Sequence, residues 1–324
     1  MPLSHLLFST NVRTDLSREA LRWSVKLLKP TAPDLALRLA EGAFLTAPRH
    51  RRPKWEAAAL EGARPWRVPF GAGHLPAWTW EAPREDAKTA LLVHGWSGRG
   101  SQLASFVAPL RARGFRVVAF DAPGHGDAPS RTSSAVHIAL AIERMVHALH
   151  PVGGVDAIVA HSVGAAASAL ALHLGSVPQS TRFVFLGPPL GPARFAGAFA
   201  RFLGLETDEQ RELQRRIELR LGIALSELDV RRVAPTFTAP MMLIHDAEDR
   251  EVPFADGEAF AEAWPGGVLR RTEGLGHTRI LRAPVVVTAA ADFAAGLPVH
   301  WPSMPPGSID AELFDRDSRP FRRE

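Results

Sequence analysis

The sequence predicts an α/β fold built on a mostly parallel, doubly wound sheet, with a helical cap insertion and an N-terminal helical extension. Three observations predict it. Short, continuous apolar runs alternate with helix-period segments from about residue 66 onward, as in a parallel sheet covered on both faces. Two extended segments around Gly71-Ala72-Gly73 read as a hairpin at the start of that region. A stretch between Leu186 and Met241 contains no strand signal and interrupts the rhythm with helices.

The elements follow in order. Residues 1–64 form the extension: Leu21, Val25 and Leu28 recur at near-helical spacing, as do Leu35, Leu37, Leu39 and Phe44, and Pro30 and Pro33 separate the two segments. The basic run Arg49, His50, Arg51, Arg52, Pro53, Lys54 reads as a solvated linker. The hairpin pairs Arg67–Phe70 with Pro76–Trp80, and Thr89–Val93 is the first buried strand. Ser101 is placed to cap a helix bearing Leu103, Phe106, Val107 and Leu110, closed by Gly114. Strand Phe115–Phe120 leads to a helix with Val136, Ile138, Ile142, Met145 and Leu149, stopped by Pro151. Strand Asp156–Ala160 runs directly into an Ala-rich helix, Ala165–Leu174, and Phe183–Leu186, Met241–His245 and Val268–Arg271 complete the strand set. In the cap, near residues 188–236, Phe195, Phe199 and Phe202 mark one helix. Thr207-Asp208-Glu209-Gln210 opens a second as a capping box, with Leu213, Ile217 and Leu221 on one face. The main domain spans 65–297, and the Pro-, Asp- and Arg-rich tail 298–324 is expected to be mobile.

Composition removes several classes of function. The 324 residues carry 46% hydrophobic and 22% charged side chains, an ordinary globular balance. The absence of cysteine excludes disulfides, Cys-ligated zinc, iron–sulfur clusters and thiol catalysis. The sequence pI of 10.2 suggests a polyanion partner. Yet all but four of the 38 basic residues are arginine, the formal net charge is only +4, and tyrosine is absent, so the four lysines alone set the point of zero charge. No nucleic-acid partner is expected. No run approaches the length of a membrane span, and Met1–Arg13 lacks a basic n-region followed by a long apolar stretch, so a cytoplasmic protein is expected. Packing of the helix that carries Arg18, Arg22, Lys26 and Lys29 on the main domain is expected in preference to peripheral membrane contact. His147 and His150 have no third partner at ligand spacing, so no metal site is expected.

The strongest chemical signal is Ala160-His161-Ser162-Val163-Gly164, between a strand and a helix. A serine on so sharp a turn needs small neighbours two positions away on either side, and Ala160 and Gly164 supply them. A nucleophilic serine also needs a base and an acid to orient it. Asp249 lies just after a predicted strand, in His245-Asp246-Ala247-Glu248-Asp249-Arg250-Glu251-Val252-Pro253, and His277 lies in the loop after the last strand. All three therefore sit beyond the carboxyl ends of parallel strands, where open α/β sheets place their sites. Asp246 is a second carboxylate able to reach His277; Asp249 is preferred because it lies further into the loop. His94 reads as a brace of the loop after its strand, and His125 as a backbone-bonded turn residue.

These residues carry a resemblance. Val93-His94-Gly95-Trp96, Asp121-Ala122-Pro123-Gly124-His125-Gly126, the serine elbow and the Asp249 and His277 segments, in that order, are similar to those of the α/β-hydrolase superfamily, in its branch of small bacterial serine hydrolases. The resemblance covers about Trp66–Leu297 and leaves the extension outside. It implies Ser162 as nucleophile, His277 as general base and acid, Asp249 as the orienting acid, and an oxyanion hole from the backbone N–H groups of Trp96 and Val163. It implies a small-molecule acyl substrate and no cofactor. Two departures are Ala160, where glycine is commoner, and Asp246, where relatives usually carry glycine. His161 and Arg99 are placed as candidate substrate contacts. The expected activity is carboxylic ester cleavage through an acyl-enzyme. Thioesterase, acyltransferase or carbon–carbon hydrolase chemistry, or a non-catalytic binding protein on the same fold, remain open as alternatives.

Overall fold

The computed structural model describes residues 12–301 apart from Pro83 and Glu85. The start of the extension and the tail from residue 302 lie outside the described residues. Among the described residues, three α-helices precede the first strand: α1 (Val12–Leu28), α2 (Pro33–Phe44) and α3 (Lys54–Ala59). Pro33 opens α2, where a missing N–H costs nothing. The hairpin follows as β1 (Arg64–Phe70) and β2 (Gly73–Trp80), then β3 (Thr89–Val93), α4 (Val107–Ala112), β4 (Arg116–Phe120), α5 (Ala135–Leu149), β5 (Ala157–His161), α6 (Val163–His173) and β6 (Arg182–Leu186). Three helices separate β6 from β7 (Met241–Asp246): α7 (Ala193–Phe202), α8 (Thr207–Leu221) and α9 (Val230–Val233). The chain continues through α10 (Phe254–Ala263), β8 (Val268–Thr272), α11 (Gly276–Arg279) and α12 (Pro284–Ala295).

The strands form one eight-stranded sheet in the order β1-β2-β4-β3-β5-β6-β7-β8. β2 pairs antiparallel with both neighbours, and every pair from β4 to β8 is parallel. Alternation along the strands sorts the core into two layers. Leu91, Val93, Val118, Ile158, Ala160, Phe183 and Phe185 face one side, where α2, α5, α6, α10 and the β6–β7 helices pack. Ala90, Leu92, Val117, Val159, Val184, Leu186 and Ile244 face the other, against α4 and α12. Both faces of the central strands are therefore covered, which is why their sequences are continuously apolar. β1 and β8 are the edges, and β8 carries Arg270 and Arg271 where an uncharged strand would invite pairing.

Two expected helix starts differ in detail. Ser101 caps no helix: residues Gly100–Phe106 form a 3-10 segment leading into α4, and Ser101 Oγ donates to Glu56 Oε2 at 2.7 Å. The capping box of α8 belongs to Glu206, whose N–H donates to Glu209 Oε2 at 2.7 Å, with Thr207 as the first helical residue. A carboxylate accepts from the orphan N–H groups as well as a hydroxyl does, so the box shifts by one position.

The extension is bonded to the sheet domain through buried polar groups. Glu56 of α3 is 6% exposed; besides Ser101 it meets Arg99 Nε at 3.7 Å, and Arg99 in turn donates to the His50 carbonyl. Removing one partner of a buried ionic cluster leaves an uncompensated charge. Glu56→Ala is accordingly expected to lower unfolding free energy by about 3–5 kcal/mol in urea titrations followed by circular dichroism. A loss no larger than the roughly 0–1 kcal/mol of an exposed pair would show that α3 is only loosely attached.

Candidate active site

Ser162 occupies the turn between β5 and α6 with φ 52° and ψ −127°, a left-handed conformation that a residue with a Cβ adopts only under constraint. The constraint is visible on both sides. Ser162 N–H donates to the Leu186 carbonyl of β6 at 2.9 Å, and its own carbonyl accepts from Ala165 N–H at 2.9 Å at the start of α6. Gly164 lies against the end of β3: a Cβ there would meet the Val93 carbonyl oxygen at 2.8 Å and strike that of His94. Ala160 is fully buried between β3 and β6, so its extra methyl is accommodated within the sheet.

His277, at the start of α11, places Nδ1 2.6 Å from Asp249 Oδ2. The other Asp249 oxygen accepts the N–H groups of Glu251 at 2.8 Å and Val252 at 2.9 Å. Asp246 is engaged elsewhere. Its Oδ1 accepts from Glu248 N–H, and its Oδ2 accepts from Thr272 Oγ1 at 2.8 Å and Leu275 N–H at 2.9 Å, tying the loop after β7 to the one after β8. Thus the acid bonded to His277 is Asp249, and Asp246 holds the two loops together. His245, not singled out in the sequence, adds support: its Nε2 lies 3.0 Å from the Val252 carbonyl and 3.4 Å from Asp249 Oδ2.

Ser162, His277, His161, Trp96 and Val163 line one cavity of about 270 Å³. The two residues expected to supply oxyanion donors, Trp96 and Val163, thus border the same space as Ser162. Arg99 is not among the described residues lining it; its guanidinium is taken by Glu56 and the His50 carbonyl. The Asp121–Gly126 loop is a brace: Asp121 accepts from Gly100 N–H and Asp127 N–H, both at 2.8 Å. The lining also holds groups the sequence did not signal, namely Glu251, Ser97, and Phe44, Leu45 and His50 of the extension.

The profile of the alpha/beta hydrolase family matches residues 90–291, more than half of the chain. The chain belongs to the alpha/beta hydrolase family. It is similar to the pimeloyl-[acyl-carrier protein] methyl ester esterase of Xanthomonas campestris pv. campestris, 29% identical over 245 residues that cover 64% of this chain and 95% of that protein. The enzyme of the same name from Xanthomonas oryzae pv. oryzae is 28% identical over 246 residues, with the same shares covered. Among solved structures, a Pyrococcus furiosus esterase superposes with TM-score 0.57 at 20% identity, over 77% of this chain and 96% of its own. Est1E from Butyrivibrio proteoclasticus, solved with ferulic acid, superposes with TM-score 0.56 at 18% identity, over 70% and 97%. At those identities the structural likeness speaks to the fold.

In this alpha/beta hydrolase, His94, His125, His161 and His277 are buried near the serine turn, and their environments divide them. His94 donates from Nδ1 to the Gly95 carbonyl at 2.7 Å and accepts Ala122 N–H on Nε2 at 3.0 Å, joining the loops after β3 and β4. Burial lowers its pKa to about 4. His125 donates from Nδ1 to the Pro123 carbonyl at 2.9 Å, and burial lowers it to about 3. His161 Nε2 lies 3.0 Å from the His277 carbonyl, which can only accept, so Nε2 carries the proton and Nδ1 is a bare lone pair. Burial, and then the neighbouring His277 ring at 4.5 Å, hold His161 well below 6.5. For His277 burial acts in the same direction, but the bond and charge of Asp249, with the charge of Glu251, outweigh it and raise the pKa above 6.5. Glu251 is itself raised, first by burial and then by Asp249.

Gly187, at the end of β6, decides whether the His277–Asp249 pair fits. Its φ is +54°, and a Cβ there would lie 3.2 Å from His277 Nδ1 and 3.3 Å from Asp249 Oδ2. Gly187→Ala should push the two apart. With the Asp249 bond lost, burial dominates, so the His277 pKa measured by NMR titration is expected to fall below its wild-type value. An unchanged titration would mean that the pair is held without help from this contact.

Proposed function

We propose that this alpha/beta hydrolase is a serine esterase that cleaves a carboxylic ester, or a related acyl compound, through an acyl-enzyme. The observation that carries the reading is the 2.6 Å His277–Asp249 bond at the rim of a cavity that also contains a serine on a strained strand-to-helix turn. In the proposed reaction Ser162 Oγ attacks the carbonyl carbon as its proton passes to His277 Nε2. The imidazolium so formed is stabilised by the Asp249 carboxylate. The carbonyl oxygen, now an oxyanion, faces the N–H groups of Trp96 and Val163, each such donor contributing about 2.7–4 kcal/mol to the transition state. The tetrahedral intermediate collapses, the bond to the alcohol breaks, and His277 returns the proton to the leaving oxygen. Water then adds to the acyl-enzyme with His277 as base, and the acid departs as Ser162 recovers its proton.

Support comes from the tautomer. Asp249 accepts a hydrogen bond from the Nδ1–H of His277, which leaves Nε2 as the lone pair that a base requires. The neutral state of His94, His125 and His161 removes competing positive charge from around the developing imidazolium. The named activity of the Xanthomonas relatives, ester cleavage, agrees with this chemistry.

Ser162→Ala is expected to reduce kcat/KM on p-nitrophenyl esters by at least about four orders of magnitude. Asp249→Asn is expected to cost roughly 10⁴-fold in kcat by favouring the wrong tautomer. Full activity in either variant would refute the mechanism. His277 must be neutral to accept the serine proton, and its pKa is raised. Activity should therefore fall on acidification through a value above 6.5. Removing the Glu251 charge takes away one cause of that rise, so Glu251→Gln should move the acid limb of the kcat/KM profile to lower pH. A limb that moves upward would assign the titration to another group.

A further inference from the structure

The extension lies upstream of the family match, which begins at residue 90, yet it reaches the cavity. Phe44 and Leu45, at the end of α2, line it together with Ser162 and His277. Phe199 of α7 also borders it, and the Phe44 and Phe199 rings meet at a centroid distance of 5.6 Å. Leu225 and Leu228 continue the apolar lining beyond α8. We infer that Phe44 and Phe199 together form the wall that limits the length of an apolar acyl chain. The N-terminal extension is then part of the substrate site, and the substrate class is an ester of a medium-length aliphatic acid. The substrate class rests on the esterase reading above; the wall itself does not.

The wall is held rather than draped. Leu45 is 1% exposed, and its carbonyl accepts Ser133 N–H at 2.8 Å. Just beyond it, Arg49 donates to the carbonyls of Gly124 at 3.3 Å, Ala128 at 2.7 Å and also Ser130, fixing the chain to the loop after β4. On the other side three ion pairs tie the extension to α8: Lys29–Glu209 at 2.6 Å, Asp34–Arg216 at 2.5 Å and Glu41–Arg220 at 3.0 Å. Lys29 also donates to the Gly204 carbonyl at 2.9 Å, between α7 and α8. Phe44 is thus positioned by contacts on both of its flanks. The cavity volume of about 270 Å³ falls just below the roughly 300–1,000 Å³ of pockets for drug-sized ligands, which suits a compact aliphatic group.

The test separates binding from turnover. In a Ser162→Ala background, fatty-acid methyl esters from butanoate to hexadecanoate are titrated against bound 1-anilinonaphthalene-8-sulfonate. Affinity should rise about fourfold per methylene while the chain is being buried, and stop rising at the length where it meets the wall. Phe44→Ala and Phe199→Ala should each move that break to longer chains, and Phe44→Trp should move it to shorter ones. A break at the same length in all variants of native circular dichroism, or no displacement at any length, would overturn the wall. The p-nitrophenyl ester series on chains that retain Ser162 reports separately on catalysis. A shifted break without hydrolysis of any ester would leave the wall standing and reject the esterase reading. Hydrolysis with an identical length profile in wild type and Phe44→Ala would keep the esterase reading and reject the wall.

Discussion

The backbone of Ser162 is the constraint on which the site depends. A φ of 52° on a residue with a side chain is unfavourable by roughly 1–3 kcal/mol and persists only where the surroundings over-determine it. Here the surroundings are the sheet itself. β5 is paired with β3 as far as Ala160 and with β6 as far as His161, the last residue before the turn, and α6 starts at the first residue after it. Strand and helix can approach this closely because Gly164 has no Cβ to strike the carbonyls at the end of β3. The result is placement: Ser162 stands beyond the carboxyl end of β5, beside the start of α6, on the cavity shared with His277.

Around that turn, electrostatics does the sorting. Several imidazoles lie within the same small volume, with His94 and His125 ring centroids 5.1 Å apart and His161 and His277 rings 4.5 Å apart. Left to burial alone, all would be neutral and none distinguished. Asp249 breaks the equivalence by meeting His277 Nδ1 at 2.6 Å, with His245 Nε2 farther away at 3.4 Å, and Asp246 anchors the two loops that bring Asp249 and His277 together. The other three histidines become structural donors: His94 and His125 hold backbone carbonyls of the β3 and β4 loops, and His161 holds the carbonyl of His277 itself. A single polar layer therefore fixes the loops and leaves His277 as the ring whose pKa Asp249 raises.

What was legible in the sequence follows the strength of the physical signal. The buried strands could be read because both faces are covered and the runs are continuously apolar. The Ser162, Asp249 and His277 loops could be read because parallel strands end on one side. α12 gave no period because Val and Ala fill nearly every position from Val285 to Ala291, leaving no polar face to mark a turn of helix. α10 was hidden for a related reason, with Asp256 buried on its inner side and bonded to Arg194. Asp249 could be preferred from its place further into the loop, but the role of Asp246, at the end of β7, needed coordinates, since its partners Thr272 and Leu275 are distant in sequence. Arg99 looked available because its partner, Glu56, is distant in sequence; the same separation concealed Phe44 at the cavity. Long-range contacts of this kind leave no local pattern.

Trapping the acyl-enzyme would show whether Ser162 is the nucleophile. The protein would be acid-quenched during turnover of p-nitrophenyl butyrate, digested, and examined by mass spectrometry. One butyryl group is expected on the peptide containing Ser162, absent from the Ser162→Ala protein and accumulating further in His277→Gln wherever acylation survives there. Turnover without an adduct on that peptide, or with the adduct on another side chain, would contradict it.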